Sequence, residues 1–266
     1  MGMLDGKVAI VTGASRGIGA EIARRFGAEG AAVAVAARTA EQGSSPLAGT
    51  ITQTADQINA AGGAAVAIRA DLSKAADRER LVSETVRQLG APDILVSNAA
   101  VTYFVRVEDF TPRRYELMFE VQVQAPFHLA TQVLAGMRER GRGWILNISS
   151  GAARHPSIPP TGWASRGGTV YGMCKAALER FSTGLAAELY QDNIAVNALS
   201  PNRVVPTPGT IFHRLTTQDD PDAEPPAVMA QAALMLCQAD PPRSLTGRIA
   251  YSQDLLAELG VALPSR

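Results

Sequence analysis

The chain of 266 residues carries 25 Lys and Arg against 25 Asp and Glu, so its net charge is zero. A neutral chain offers no basic field to attract nucleic acid or an anionic membrane surface, and we therefore expect neither as a partner. The apolar stretches are short and no signal peptide is visible, which predicts a cytoplasmic protein. No linker or charge block divides the sequence, and we expect a single domain over residues 1–266.

Short apolar runs alternate along the chain with longer amphipathic segments. The runs predict strands at residues 7–12, 32–37, 64–70, 93–97, 143–149, 194–199 and 248–251. The segments predict helices near residues 17–29, 49–61, 74–89, 111–140, 169–190 and 226–238. Because the strands are almost continuously apolar and alternate with helices, we predict a doubly wound α/β fold of Rossmann type. Its sheet would be mostly parallel and seven-stranded, with helices on both faces.

The first predicted strand runs directly into a glycine-rich turn that opens a helix. Glycines in that position let the backbone approach a pyrophosphate, and the start of the helix offers free N–H groups. The spacing is Gly-x-x-x-Gly-x-Gly, not the commoner Gly-x-Gly-x-x-Gly, and a tight turn without a ligand is the alternative. We predict cofactor contacts in this turn at Gly13, Ser15, Arg16, Gly17, Ile18 and Gly19.

Tyr171 and Lys175 are four residues apart in a predicted helix and therefore share one of its faces. A lysine ammonium beside a phenol favours the phenolate and brings the tyrosine pKa, ordinarily near 10, closer to neutral pH. General acid–base catalysis requires such a match. Two serines, Ser149 and Ser150, follow the fifth predicted strand upstream. The spacing of Tyr171 and Lys175 alone is weak evidence for a catalytic role. It gains weight from the glycine turn earlier in the chain.

With these motifs in this order, the chain resembles the short-chain dehydrogenase/reductase family over essentially its whole length. The matching pieces are Thr12-Gly13-x-x-x-Gly17-x-Gly19, Asp71-Leu72, Ser97-Asn98-Ala99-Ala100, Asn147-Ile148-Ser149-Ser150, Tyr171-x-x-x-Lys175 and Asn197-Ala198-Leu199-Ser200-Pro201. The resemblance implies that Tyr171 is the general acid/base and that Lys175 lowers its pKa and holds the nicotinamide ribose. It also implies that Ser150, rather than Ser149, hydrogen-bonds the substrate oxygen.

The same resemblance assigns further cofactor contacts. They are Asp71, Leu72, Asn98, Ala99, Ala100, Pro201 and Val204, with Tyr171 and Lys175 also touching the cofactor. Asp71 would meet the adenine ring, and Asn98 would support the central strand.

Three positions depart from the family pattern. Gln122 stands where the family has an asparagine that helps hold a proton-relay water, and its extra methylene is expected to displace that water. The family's Pro-Gly after the sixth strand is Pro201-Asn202, and we expect the turn to survive because Asn tolerates left-handed backbone. The interval before Tyr171 is longer than usual, and it either walls the substrate pocket or covers the surface. The additional segment contains Pro156, Pro159, Pro160 and Trp163.

The end of the second predicted strand bears on the choice of cofactor. An acidic residue there would bind the adenosine ribose hydroxyls and repel a 2′-phosphate, which favours NAD. The position is Ala37, followed by Arg38 and Thr39, and the Arg38 guanidinium suits a phosphate that Arg16 can approach from the glycine turn. Alternatively, both arginines are solvated surface residues. We predict NADP(H), with NAD(H) as the other option.

Local resemblance to the hydroxysteroid dehydrogenase-like and citronellol dehydrogenase-like branch implies an apolar alcohol or ketone, steroid-like or terpenoid. The pieces that carry it are Arg38-Thr39-Ala40, residues 46–51 and residues 251–256. A substrate loop is expected at about residues 202–226, with apolar side chains that either line a pocket or pack the loop onto the core. They are Val204, Val205, Ile211, Phe212 and Leu215. No metal is expected, because His155, His213, Cys174 and Cys237 lack partners at ligand spacing.

Two other functions stay open. One is a nucleotide-binding protein that kept the fold and lost the chemistry, and the other is a lyase or epimerase that uses a bound nicotinamide cofactor. The joint presence of Ser150, Tyr171 and Lys175 favours an oxidoreductase over the first. The long predicted helices 111–140 and 169–190 carry more apolar positions than one sheet face needs. The family commonly pairs these helices, so the resemblance implies a homodimer or homotetramer.

Overall fold

The computed structural model describes residues 2–43, 45–160 and 167–264. Its strands are β1 Val8–Thr12, β2 Ala32–Ala37, β3 Ala64–Arg69, β4 Ile94–Ser97, β5 Gly143–Ile148, β6 Ile194–Ser200 and β7 Ile249–Tyr251. They form one seven-stranded sheet in the order β3-β2-β1-β4-β5-β6-β7, and every pair of neighbours is parallel. The order reverses between β1 and β4, which is where ligands bind in doubly wound sheets.

Helices cover both faces of this sheet. They are α1 Gly17–Ala28, α2 Ile51–Ala60, α3 Ala75–Leu89, α4 Pro112–Phe119, α5 Ala125–Glu139, α6 Thr169–Glu188, α7 Pro208–Phe212, α8 Pro226–Gln238 and α9 Ser252–Glu258. Successive strand residues point to opposite faces, so Ile10 joins one buried cluster and Val11 the other. One cluster packs against α1, α2, α8 and α9, and the second against α3, α5 and α6. The predicted doubly wound, single-domain fold is confirmed.

The predicted helix over residues 111–140 is interrupted by a π-helical turn, Glu120–Gln124. In a continuous α-helix the Gln122 carbonyl would accept a hydrogen bond from residue 126, but Pro126 has no backbone N–H. The wider turn therefore falls where the regular hydrogen-bond ladder fails, and π turns of this kind are frequent at functional sites. It places Gln122 at the junction of α4 and α5.

Two short helices, α7 and α9, lie in segments for which no helix was predicted. They span five and seven residues, which is too short for an apolar period to emerge from the sequence. Helix α7 begins at a capping box formed by Thr207, directly before Pro208, and Thr210, two residues after it. Within the ranges that the structure describes, no helix combines the length and apolar character needed to cross a membrane.

Candidate active site

The predicted site residues gather at the carboxyl edge of the sheet, because parallel strands all end there. Four of them directly follow a strand, namely Gly13 after β1, Arg38 after β2, Asn98 after β4 and Pro201 after β6. Asp71 and Ser150 stand one residue further on, beyond β3 and β5. The strand order then arranges them along one crevice. Arg38 and Asp71 lie toward the β3 end of this edge, the glycine turn lies in the middle, and Ser150 and Pro201 lie beyond β4.

The glycine turn packs tightly against Asn98. The Asn98 amide nitrogen donates to the carbonyls of Thr12 at 2.9 Å and Gly13 at 3.2 Å, which ties β4 to β1. Gly13 has a φ of +66°, and a Cβ there would lie 2.7 Å from the Ala99 Cα. A Cβ at Gly19 would collide with the Asn98 amide. The glycines are therefore required by close contacts within the protein as well as by any phosphate.

The start of α1 is open to an anion. Its N-cap residue, Arg16, has an extended backbone and makes no side-chain cap hydrogen bond, so the first N–H groups of the helix remain available. Ser15 is buried and Ile18 is half-buried beside them. A Cβ at Gly17, where φ is +56°, would lie 2.9 Å from the Thr207 methyl group. The glycine turn thus contacts the substrate loop as well as the sheet.

Arg16 and Arg38 lie close enough to affect each other. Burial, and secondly the charge of Arg38, lower the pKa of Arg16. Arg16 donates to the Ser45 hydroxyl at 3.1 Å and to the Gly49 carbonyl at 3.0 Å, whereas Arg38 is exposed. Neither arginine forms an ion pair with a carboxylate in the described residues. Two neighbouring cations without an acid between them suit a doubly charged phosphate.

The segment after Arg38 turns back onto the glycine turn. Gly49 has a φ of +100°, and a Cβ there would collide with the Ser15 carbonyl. Its neighbour Thr50 caps α2, and the Thr39 carbonyl accepts from the Ile51 backbone at 3.0 Å. The contacts of Ser45 and Gly49 with Arg16 were not predicted, because nothing in local spacing shows that this insert folds back.

Asp71 and Leu72 sit in a hydrogen-bonded loop after β3. One Asp71 carboxylate oxygen accepts from the Ser73 backbone at 3.1 Å and from the Ser73 hydroxyl at 2.8 Å. The Leu72 carbonyl accepts from the Arg78 guanidinium at 2.7 Å, and Arg78 also pairs with Glu120 at 2.6 Å. The loop is therefore held in place before any cofactor binds.

Ser150, Tyr171 and Lys175 converge at the end of β5. Lys175 is buried on α6, its ammonium donates to the Ile148 carbonyl at 2.8 Å, and it lies 5.6 Å from the centre of the Tyr171 ring. Burial lowers the pKa of Lys175 to about 8. Burial also raises the pKa of Tyr171, although its hydrogen bond with Ser150 acts in the opposite direction. The net shift of the Tyr171 pKa is therefore upward, opposite to the expected direction, because loss of solvation is its largest cause.

The two serines after β5 face different neighbours. The Ser149 hydroxyl donates to the Glu179 carboxylate at 2.7 Å, away from Tyr171. Ser150 hydrogen-bonds Tyr171 and accepts from the Ala152 backbone at 3.3 Å. The alternation of side chains at the strand end therefore brings Ser150, and not Ser149, to the tyrosine.

Gln122 is 1% exposed and lies within the π turn. Its amide nitrogen donates to the Val101 carbonyl at 2.9 Å, which ties the turn to the segment after β4. Its amide oxygen is buried and has no partner within the described ranges. The amide nitrogen is thus already hydrogen-bonded to the backbone. The amide oxygen is a buried acceptor that would accept a hydrogen bond from water.

An aromatic wall, formed by Phe104, Phe212 and His213, begins beside Tyr171. The Phe104 ring centre lies 5.6 Å from that of Tyr171 and 5.4 Å from that of His213, both in edge contacts. The His213 ring also contacts Phe212 edge-on at 5.4 Å, and its Nε2 lies 3.2 Å from the Thr102 hydroxyl. Phe104 was not predicted, because no motif marks it and only the fold brings it to the tyrosine.

The apolar side chains predicted in the substrate loop divide between two roles. Val205 is buried in the core cluster, so it packs the loop onto the domain. Ile211 and Leu215 line a cavity of about 340 Å³ within the loop. Phe212 is 63% exposed, and Val204 is exposed as well. Core packing thus occurs at Val205, and lining of a substrate pocket by the other side chains stays a prediction.

The longer segment before Tyr171 is seen in part. Residues 154–160 are exposed and cover the surface, whereas Trp163 lies outside the described residues. Gly167, at the far end, packs against the Val105 backbone so closely that a Cβ would overlap it. Residues 154–160 thus lie at the surface, and a role of the segment in walling the substrate pocket stays a prediction.

The turn after β6 differs from its expected geometry. Asn202 does not adopt left-handed backbone; within the described ranges only Asn193 and Arg214 do so among residues other than glycine. Instead, the Asn202 side-chain oxygen accepts from the Gln253 backbone at 2.7 Å. The turn is preserved by side-chain hydrogen bonds rather than by the backbone freedom of Asn.

In the described part of the chain no three His, Cys, Asp or Glu side chains gather as metal ligands would.

Comparison with known proteins agrees with this geometry. The sequence pattern of the short chain dehydrogenase family matches residues 7–215. An uncharacterised oxidoreductase of Methylorubrum extorquens is 40% identical over 210 residues, which cover 79% of this chain and 77% of the relative. Versicolorin reductase 1 of Aspergillus parasiticus is 35% identical over 201 residues, which cover 76% of this chain and 71% of that protein.

Similarity extends to solved structures. The crystal structure of a metagenomic short-chain oxidoreductase in complex with NADP matches with a TM-score of 0.75 at 28% identity. The match covers 94% of this chain and 98% of the other. The chain therefore belongs to the short chain dehydrogenase family, and it is an oxidoreductase of that family.

Proposed function

We propose that the protein is an NADP(H)-dependent oxidoreductase that transfers a hydride between nicotinamide and an apolar alcohol or ketone. The observation that carries this proposal is the convergence of Ser150, Tyr171 and Lys175 at the end of β5, in the same crevice as the glycine turn. When bound, the nicotinamide supplies or accepts the hydride. A direct assay is oxidation of NADPH in the presence of a panel of cyclic ketones.

In the proposed mechanism of reduction, the Ser150 hydroxyl hydrogen-bonds the substrate oxygen and holds it at the Tyr171 hydroxyl. Because burial raises the pKa of Tyr171, its phenol is protonated at neutral pH and is ready to donate a proton to the developing alkoxide. Lys175, fixed to the Ile148 carbonyl, presents its ammonium beside that phenol and stabilises the charge that remains after transfer.

The preference for NADP(H) over NAD(H) is supported by Arg16 and Arg38. Both are cations without a carboxylate partner in the described residues, and they lie at the strand end where the adenosine ribose would bind. The related metagenomic oxidoreductase was solved with NADP. The glycine turn, the uncapped start of α1 and the Asp71 loop would hold the rest of the dinucleotide.

An apolar ring system is the substrate that the aromatic wall suits best. Phe104 and His213 extend away from Tyr171, and flat aromatic edges pack well against rings. The local resemblance to the hydroxysteroid and citronellol dehydrogenase-like branch favours steroid-like or terpenoid alcohols and ketones. Versicolorin reductase 1 is named as a reductase, which is consistent with the reducing direction.

Activity should depend on pH through Lys175. Its pKa is lowered to about 8, so the ammonium is present below that pH and is lost as the pH rises through it. We expect kcat/KM for ketone reduction to be flat below pH 8 and to fall by about tenfold per pH unit above it. Lys175→Arg keeps its charge at high pH, so its profile should lack this falling limb. An Arg variant with the same limb near pH 8 would show that another group titrates.

Gln122 is proposed to keep a proton path open beside Tyr171. Gln122→Leu keeps the volume but removes both polar ends, which leaves the Val101 carbonyl without its donor. We expect a loss of ~1–3 kcal/mol of transition-state stabilisation, seen in kcat with the NADPH dissociation constant unchanged. Gln122→Asn, which retains the amide, should change kcat only slightly. If the Leu variant matches the native enzyme across pH, Gln122 serves only to pack the π turn.

We also propose that the protein is a homodimer or homotetramer built on α5 and α6. Phe127 on α5 is 49% exposed and contacts Phe181 of α6 edge-on, with 5.9 Å between ring centres. An exposed aromatic ring packed on a half-buried one is typical of a protein interface, and light scattering would measure the assembly. Cys174 and Cys237 are buried free thiols, in keeping with the proposed cytoplasmic location.

A further inference from the structure

Glu224, at the end of the substrate loop, is a fully buried carboxylate that the proposed mechanism does not use. It is 0% exposed. Its oxygens accept from the Ser252 hydroxyl at 2.5 Å, the Gln253 side-chain amide at 2.8 Å and the Asn202 backbone at 3.1 Å. The Arg203 backbone N–H also hydrogen-bonds it. One side chain therefore joins the turn after β6 to the start of α9.

The same residue closes the base of the loop. The Glu224 backbone N–H donates to the Val204 carbonyl at 3.0 Å, so the loop leaves and returns to the domain at one point. On the outer side of this base, Arg203 and Asp222 form a weak ion pair at 3.4 Å, and the Asp222 side chain is 90% exposed. The base of the loop is thus held by buried hydrogen bonds at Glu224 and by an exposed ion pair at Asp222.

A buried charge is an expensive way to hold two segments together. Removing a carboxylate from water costs free energy unless donors replace the water, and here burial raises the pKa of Glu224 against the hydrogen bonds that lower it. An apolar residue would fill the space but would leave the Arg203 backbone N–H without this acceptor, and the Asn202 backbone N–H with only its longer hydrogen bond to the Ser252 hydroxyl at 3.3 Å. The carboxylate instead fixes where the backbone after β6 lies, because its acceptors have defined directions.

That backbone adjoins the reacting end of the crevice. β6 pairs with β5 as far as Ile148 and Leu199, and the Ser149 backbone N–H donates to the Leu199 carbonyl at 2.8 Å. The turn after β6 therefore stands beside the Ser150 and Tyr171 cluster. Arg38, at the end of β2, lies three strands away from β5 on the other side of the glycine turn. A dinucleotide with its adenosine at Arg38 would reach the turn after β6 with its nicotinamide half.

We propose that Glu224 is a positioning residue, which holds residues 201–204 against the nicotinamide half of the cofactor and the substrate loop over it. This inference rests on the proposed function. The proposal predicts that binding of the nicotinamide half depends on Glu224. Binding of the adenosine half depends instead on the glycine turn and Arg38.

The test compares two ligands in two variants of the full-length protein. Glu224→Gln keeps the size of the side chain but places an amide NH₂ among groups that donate. We expect it to weaken NADPH binding by about tenfold or more, the effect of losing a hydrogen bond to a charged group. Its affinity for adenosine 2′,5′-bisphosphate, which lacks nicotinamide, should stay within about twofold of native. Asp222→Asn, which removes only the exposed ion pair with Arg203, should leave both affinities unchanged.

A second variant guards against a folding defect. Ser252→Ala leaves Glu224 in place but removes its 2.5 Å hydrogen bond, together with the longer contacts of the Ser252 hydroxyl with Asn202 at 3.3 and 3.4 Å. It should give the same selective loss of NADPH affinity at smaller size. Equal weakening of both ligands, or native affinity for both in Glu224→Gln, overturns the inference while leaving the proposed function intact. A native protein that binds neither ligand overturns the proposed function, and the inference with it.

Discussion

Tyr171→Phe is expected to lower kcat for ketone reduction by at least ~10²–10⁴, the usual contribution of a general acid. The change removes one oxygen, the atom that hydrogen-bonds Ser150 and would deliver the proton. The ring itself, with its edge contact to Phe104, stays in place, so the NADPH dissociation constant should be nearly native. Steady-state kinetics and fluorescence titration measure the two quantities separately.

A matched control is Tyr190→Phe, which removes the hydroxyl of an exposed tyrosine just beyond the end of α6. It should keep native turnover. If Tyr171→Phe also keeps native turnover, Tyr171 is not the proton donor, and the mechanism is contradicted whatever the substrate proves to be.

Arg38→Ala is expected to weaken NADPH binding by ~1.5–3 kcal/mol, the range for a hydrogen bond to a charged group, with little effect on NADH. The difference between the cofactors is the 2′-phosphate, which Arg38 and the neighbouring Arg16 are placed to bind. Calorimetric titration with both cofactors provides the comparison within one variant. Arg87→Ala, an exposed arginine in the last turn of α3, is the matched control and should alter neither affinity. Equal losses for NADPH and NADH would show that Arg38 does not recognise the phosphate.

The sheet could be predicted from the sequence because its signals are local. β1 and β5 are apolar runs bounded by turn residues, and parallel strands buried on both faces are expected to look this way. The break between α4 and α5 was missed, because the effect of Pro126 is felt four residues earlier, at the carbonyl of Gln122. Helix α7 was missed because it depends on a capping box rather than on an apolar period.

The site residues likewise fall into those that local motifs reveal and those that only the fold brings together. Residues carried by motifs, such as Asn98 and Ser150, stand where the family resemblance placed them at the strand ends. Phe104 and Glu224 were missed, because their roles arise from contacts between segments far apart in the chain. The pKa of Tyr171 was predicted in the wrong direction, because helical spacing reveals a nearby cation but not the degree of burial.

The measurement that tests the central claim most directly is transfer of deuterium from NADPH with both hydrogens at the nicotinamide C4 replaced by deuterium, to a panel of apolar cyclic ketones. The proposed function requires that the native protein place one deuterium on the carbinol carbon of the product, with one NADPH consumed for each alcohol formed. Product formed without net consumption of NADPH would instead identify a lyase or epimerase with a bound cofactor. NADPH binding with no turnover of any ketone or alcohol would indicate a nucleotide-binding protein, and either result would contradict the assignment of Ser150, Tyr171 and Lys175 to hydride-transfer chemistry.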